Sequence, residues 1–321
     1  MERCAYSSTL VPGVILLAGG LTVFLLPFTL ATSAPNGWSS DYIIAMIVVG
    51  FVLLVTFGLY EVYLSPVPFL KHEFLTDRTV LAACLFDATY MISYYCWNAM
   101  FTSFLQVVCN LDVAEAGYVN STFQVVSGVL LFIVGFGVRK TGRYKWIFYI
   151  AVPLYTLGLG LMIYFRQPNV HIGYIVMCEI FISMGGSVFI LLFQVAILAA
   201  VDHQHVAAAL AMLQVAGSIG GAIGNTISGT IWTNTFLPAL QRKLPESALP
   251  NITTIYASLP AQLGYPVGTP ERLAIQEAYG YAQARMLAAG VAVSGLSFVW
   301  MLMFRNYNLK NMAKQTRGTV F

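Results

Sequence analysis

The sequence predicts an all-α membrane protein with eight transmembrane helices. Composition and run length carry this reading. Hydrophobic residues fill 58% of the 321 positions and charged residues only 9%, against about a quarter charged in an ordinary soluble domain. The apolar residues gather into runs of roughly 20, the length at which a helix crosses a bilayer. The five cysteines are scattered without C-x-x-C pairing, so they argue for neither a disulfide framework nor a zinc site. No nucleophile–base constellation stands out, so no enzyme is expected; nor is a cofactor, a metal site or a nucleic-acid partner. The partner that composition does imply is the lipid bilayer.

The eight runs are about 9–30, 42–64, 79–105, 118–138, 146–165, 172–200, 206–234 and 286–304. The first follows "MERCAYSSTL" directly; it is too long for a signal-peptide core and ends without a cleavage site, so it reads as a span. In the second, Glu61 lies near one end and is expected to face water. The third carries Asp87, Tyr90, Tyr94 and Asn98 in steps of three or four, with Trp97 and Phe101 beside them. The fourth carries Asn120, Gln124 and Ser127, the sixth Glu179, Ser183, Ser187 and Gln194, and the seventh Gln214, Ser218, Gly221, Asn225 and Ser228.

Polar groups inside a membrane are costly and default to functional candidates, although Ser, Asn and Gln also join helices by hydrogen bonds. Asp87 and Glu179 are the sharper candidates. A carboxylate in apolar surroundings is cheaper neutral than charged, so such a group can load and release a proton. They are the proton-coupling candidates, Asp87 toward one side of the membrane and Glu179 toward the other. Tyr90, Tyr94, Asn98, Gln124, Gln194, Gln214 and Asn225 are substrate-path candidates. "GSIGGAIGNTISG" (217–229) has the small-xxx-small spacing of closely packed helices: Gly217/Gly221 and Gly220/Gly224.

Connections fix the orientation. An even number of spans puts both termini on one side. Eleven of the sixteen basic residues fall there: Arg3, Lys71, Arg78, Arg139, Lys140, Arg143, Lys145, Arg305, Lys310, Lys314 and Arg317. The positive-inside rule makes that side cytoplasmic. The opposite short loops hold only Arg166, and the long loop over 235–284 lies outside, with Arg242, Lys243, Arg272 and Arg285. Asn251-Ile-Thr253 in that loop is an N-glycosylation sequon. Thr269-Pro270 reads as an N-cap followed by proline at the first helical position, opening a helix toward the last span. In the tight inner link "VDHQHV", Asp202, His203 and His205 suggest a metal, but the i,i+2 spacing of the histidines suits a turn better than a chelate.

"GFGVRKTGRYK" (135–145), with Arg139, Lys140, Gly142, Arg143 and Lys145, resembles the cytoplasmic loop motif of the major facilitator superfamily. Counted from the third span, it joins the second and third helices of a six-helix half, the family's own register. Longer segments narrow the resemblance. "YYCWNAMFTSFLQVV", "FRQPNVHIGYIVMC", "VDHQHVAAALAML", "SIGGAIGNTISGTIWTNTF" and "AIQEAYGYAQARM" look like the C-terminal half of the 14-span fungal siderophore–iron transporters. The resemblance implies two linker helices with a cytoplasmic loop over 1–78, a six-helix bundle over 79–304 and a cytoplasmic tail over 305–321. It implies uptake of ferric-siderophore chelates by proton symport, at the plasma membrane or in endosomal vesicles. A further implied role for the last external loop, substrate capture, would suit Tyr279 and Tyr281. Against the family pattern, Asn98 and Phe193 stand where acidic residues are usual, and Glu179 where a neutral amide is. The chain matches one half, so a missing N-terminal half is an implied partner. The other readings are a multidrug exporter of the same superfamily and a non-transporting truncated remnant.

Overall fold

The computed structural model describes residues 2–30, 37–63, 77–202 and 205–310, without the side chains of 2–11, 28, 29 and 62. Lys71, His203, Lys314 and Arg317 lie outside the described residues, as does the side chain of Arg3.

Long helices follow the predicted runs. Helix α1 spans Glu2–Leu30 and α2 spans Asp41–Tyr63. The third run is broken into α3, Arg78–Asn98, and α4, Phe101–Val107. Then come α5, Val113–Thr141, α6, Lys145–Phe165, α7, Ile172–Ala200, and α8, Val206–Lys243. Two short helices, α9 (Ile252–Ala257) and α10 (Leu259–Leu263), precede α11, Pro270–Ser294, and α12, Ser297–Met303. Among the described residues seven segments are long and apolar enough to cross a membrane, α3–α4 and α11–α12 each counting as one; in α1 the apolar stretch is Pro12–Pro27.

Local chemistry sets the ends. Asp77 caps α3 by accepting from the Thr79 and Val80 amides at 2.7 and 3.1 Å. Asp112 and Glu115 form a reciprocal capping box at the start of α5. Gly142, at φ 72°, closes α5 in the left-handed conformation that glycine adopts without a Cβ penalty. Thr269 caps α11 with Pro270 at its first position, as the sequence predicts. The chain leaves α3 at Ala99 and re-enters helix through Met100, at φ 58°.

One part of the sequence reading is revised. The long external loop expected over 235–284 is mostly helix. Helix α8 continues through Pro238 to Lys243, and α11 begins at Pro270 and runs on toward the last span. Only 244–269 connects them, and α9 and α10 lie within it. Pro270 does not disturb α11, because it occupies a first-turn position where no amide bond is lost, whereas Pro238 lies inside α8 and the helix runs on past it for five residues despite the lost amide bond.

Helices α3 and α8 make the most extensive contact in the bundle, and α11, α7 and α12 also pack on α3. Glycines permit the α3–α8 approach. A Cβ at Gly220 or Gly224 would run into the backbone of Ala88 or Ile92, and one at Gly221 into the Tyr95 ring. The small-residue spacing therefore does what the sequence suggests. Helix α6 meets α7 in the same way, through Gly158 and Gly185. Helices α1 and α2 form a hairpin that leans on the bundle through α1 and α8.

An aromatic core fills one half of the bundle. Phe86, Phe148, Phe189, Phe193 and Phe304 come from α3, α6, α7 and the residue after α12, with Phe148 and Phe304 centroids 4.7 Å apart. Phe193 is one wall of this cluster, and a carboxylate at that position would be buried among four rings.

Candidate functional site

Asp87 lies nine residues into α3, about 14 Å along its axis. Its side chain is 7% exposed and faces α8. A Cβ at Gly217 would overlap its Oδ2 oxygen, so a glycine there is what lets the α8 backbone lie against the carboxyl.

Glu179 lies seven residues into α7, which runs in from the opposite end. It is fully buried near the Phe123 backbone, and neither carboxyl oxygen makes a well-formed hydrogen bond among the described residues. The two carboxyls therefore do not form one site. Between them stand Tyr90, within electrostatic reach of Asp87, and Tyr94, within reach of Glu179. The two rings are 6.3 Å apart. Tyr155 joins them: its ring is 5.6 Å from that of Tyr90 and its hydroxyl donates to Ser93 Oγ at 3.2 Å. Ser93 in turn donates to the Gly290 carbonyl of α11 at 3.0 Å. The result is a cluster of tyrosine rings between two buried carboxyls, with one hydroxyl pair, Tyr155 to Ser93, leading off to α11.

Arg166 stands where the sequence puts it, but its burial was missed. It reads as a loop charge just past the fifth run, yet it is fully buried. Its Nη1 donates to the Trp97 carbonyl at 2.6 Å, and its guanidinium lies 4.5 Å from the Phe101 ring and 5.1 Å from Phe104. Arg166 therefore holds the α3–α4 break from below, and it acts electrostatically on Glu179. The available signal was its position: a lone cation immediately after an apolar run and before Gln-Pro.

The other candidates divide by exposure. Gln124, Gln194 and Gln214 are exposed, on α5, α7 and α8; Tyr94, Asn98 and Asn225 are half-buried. Asn98 donates to the Tyr94 hydroxyl at 3.3 Å. Tyr90 and Tyr279 are 2% exposed and belong to the packed interior, not to an open path. Tyr281 is exposed and stacks under the Arg285 guanidinium at 3.4 Å. Ser183 is a helix-joining residue: it contacts Ser127 at 3.1 Å and donates to the Phe123 carbonyl at 2.8 Å.

A buried polar clamp fastens the segment 244–269 to the bundle. Arg272, counted from sequence as a loop charge, is 2% exposed and donates to the Gln262 carbonyl at 2.7 Å and to Asn110 Oδ1 at 3.2 Å. Gln276 reaches the Val107 carbonyl at 3.0 Å. Tyr279 donates to Gln262 Oε1 at 2.8 Å, while Gln262 donates to the Ile255 carbonyl at 2.7 Å. Removing one buried hydrogen bond costs about 1 kcal/mol. Tyr279→Phe is therefore expected to lower stability by about that amount in detergent, read by thermal unfolding, and to speed proteolysis within 244–269. Asn251 is exposed at the start of α9.

At the other end of the bundle, the basic turn grips the chain that follows α12. Lys145 Nζ donates to the Leu302 and Phe304 carbonyls at 3.1 and 2.6 Å, and Arg78 reaches the Leu302 carbonyl at 3.2 Å. Tyr144 donates to the Arg305 carbonyl at 2.7 Å, and the Leu309 amide to the Gly142 carbonyl at 2.9 Å. A Cβ on Gly142 would strike the Lys310 side chain. At the start of α8 the His205 amide bonds the Asp202 carbonyl at 2.9 Å, and Asp202 is exposed.

No family model matches the chain. It is 72% identical over 311 residues to the siderophore iron transporter mirB of Emericella nidulans, covering 97% of this chain and 51% of that protein. It is 63% identical over 309 residues to the MFS siderochrome iron transporter B of Aspergillus fumigatus, covering 96% of this chain and 50% of that protein. It is 64% identical over 316 residues to the MFS siderochrome iron transporter 1 of Gibberella zeae, covering 98% and 52%. The chain thus spans about half the length of the curated relatives it matches. Among solved structures, it resembles the inward-facing, occupied form of a bacterial homologue of the human lysosomal transporter Spinster, with a TM-score of 0.53 at 15% identity, over 92% of this chain and 68% of that one. At that identity the likeness concerns the fold alone.

Proposed function

This chain belongs, over nearly its whole length, with one half of the fungal siderophore–iron transporters, and from that premise we propose that it carries ferric-siderophore chelates across a membrane by proton symport, as the C-terminal half of a longer carrier. The carrying observation is the 72% identity across 97% of the chain.

The geometry supports the reading. An alternating-access carrier needs two halves around a site near the midplane. Gln124, Gln194 and Gln214 are amides exposed on three apolar helices. Polar side chains at membrane depth turn toward protein or a water-filled cavity rather than lipid. Gln124 and Gln194 thus mark surface for the other half to cover, with Asn98 and Tyr94 half-buried nearby, while Gln214 and Asn225 line a cavity of about 760 Å³ between α8, α3 and α1. On this reading Asp87 and Glu179 carry the coupling proton, with Tyr90 and Tyr94 between them. Tyr281 stands beside the external clamp, and Tyr279 fixes that clamp from within.

The multi-pass architecture puts the chain in a membrane. We assign the basic end to the cytoplasm, with both termini there and Asn251 outside as the glycosylation acceptor; the membrane is the plasma membrane or an endosomal vesicle. The iron arrives already wrapped in its chelator, so Asp202 and His205 need not touch it.

The test is uptake of a radiolabelled ferric hydroxamate by cells lacking their own siderophore uptake and expressing the whole carrier that contains this chain. Saturable uptake lost on adding a protonophore is the expected result. Uptake indifferent to the proton gradient overturns the symport, and drug efflux with no ferric-chelate uptake overturns the substrate.

A further inference from the structure

We propose that the basic end of the bundle holds one anionic phospholipid in a built site between α5, α7 and the segment after α12. The pocket there has a volume of about 330 Å³. Its wall is apolar: Gly135 and Val138 of α5, Leu191 and Val195 of α7, and Leu309. Its remaining lining includes two cations, Arg139 and Lys310.

Depth and charge select the occupant. Val195 and Leu191 precede the end of α7 by five and nine residues, about 8 and 14 Å along the axis. That is acyl-chain depth below a headgroup. Trp146 marks the interface: it is 44% exposed, and its indole N–H donates to the Arg143 carbonyl at 3.0 Å. Arg139 is exposed, and among the described residues the ion pairs are Lys243–Glu277 and Arg305–Asp77, so no described carboxylate neutralises it. The Lys310 ammonium donates to a neutral partner, the Lys140 carbonyl, at 2.5 Å. Lys140 and Arg143 add two exposed charges to the same turn.

A phosphate diester suits this rim, because a guanidinium takes phosphate oxygens in bidentate fashion and an ammonium serves as a second point charge. A soluble anion would use the rim and leave the apolar wall wet. A neutral lipid would use the wall and leave the cations without a counter-charge. An anionic phospholipid satisfies both, as basic pockets at the cytoplasmic ends of transmembrane helices do. The site also has a consequence for the clasp. Arg139 lies on α5 and Lys310 on the segment after α12, so one headgroup ties together the two strands that Gly142 and Leu309 already join. The transport reading bears on the site in two ways: it decides which leaflet supplies the lipid, and it sets the other half beside Gln194, so the groove at Leu191 and Val195 must stay open next to that half.

The test is native mass spectrometry of the whole carrier that contains this chain, released from mild detergent after exposure to phosphatidylserine, phosphatidylcholine or inorganic phosphate. The expected result is one retained phosphatidylserine, favoured about tenfold or more over phosphatidylcholine. Arg139→Gln with Lys310→Gln should abolish that preference. Val195→Trp, which fills the wall and leaves both cations, should abolish retention itself. Arg242→Gln, at the opposite end, should change neither and reports on folding. Equal retention of the two lipids, retention unaffected by both sets of variants, or displacement of the lipid by an equal concentration of phosphate overturns the site.

Discussion

Gly220→Val is expected to cost about 3 kcal/mol or more and to deplete the folded protein in the membrane. At this position α8 passes closest to α3: a Cβ would sit inside the backbone of Ala88, against its carbonyl oxygen, Cα and carbonyl carbon. A flexible side chain could move aside; a helix backbone cannot. The α3–α8 contact is the largest in the bundle, and α11 packs against both helices, so separating the pair unseats a third helix. The check is thermal unfolding and monodispersity in detergent, set beside Gly160→Val. Gly160 has open space where its Cβ would be, so the two substitutions share their propensity change and differ only in contact. A similar loss for both would show that helix propensity, not the close approach, is responsible.

Glu179→Gln is expected to lower chelate uptake at acidic external pH by tenfold or more and to flatten its pH dependence, while surface abundance is unchanged. The amide keeps the shape and cannot take up a proton. Glu179 is fully buried among α5, α6 and α7, and the charged or titratable groups that act on it include Arg166 from the end of α6 and Tyr94 from α3. In symport the parent should transport faster as external pH falls, because loading the carboxyl precedes the inward step. Asp87→Asn should flatten the same profile. The two variants separate by side: Asp87 lies toward the basic end and Glu179 toward the clamp. The measurement is initial uptake rate across external pH in the whole carrier. Unchanged pH dependence in both variants removes these residues from coupling.

Much of the fold was legible because membrane helices report themselves through run length. The Thr269-Pro270 start, the Gly142 turn and the 217–224 glycine stripe were readable because each rests on local backbone geometry. What escaped was tertiary. Arg166 and Arg272 look like loop charges, since each follows or precedes a Pro- or Gln-rich connection. Both are buried because the chain folds back over them, and carbonyls made free by the α3–α4 break and by Gln262 accept from them. Tyr90 and Tyr279 carry the same letters as a substrate path, and only packing shows that they belong to the interior. The amides Gln124, Gln194 and Gln214 are exposed on their helices, with Gln214 lining the cavity against α1, and periodicity alone does not reveal this.

The clasp between the α5–α6 turn and residues 304–310 sets an order of assembly. Those residues leave the ribosome after every helix they fasten. Until then Lys145 and Tyr144 have no carbonyls from 302–305 to bind, and Gly142 has no strand to receive. The bundle is thus inserted helix by helix with its basic end unlatched and is sealed only when synthesis has passed Leu309. A chain stopped short of Phe304 would carry every helix and still lack its closure, so a quality-control protease could tell unfinished copies from finished ones by the state of that one turn.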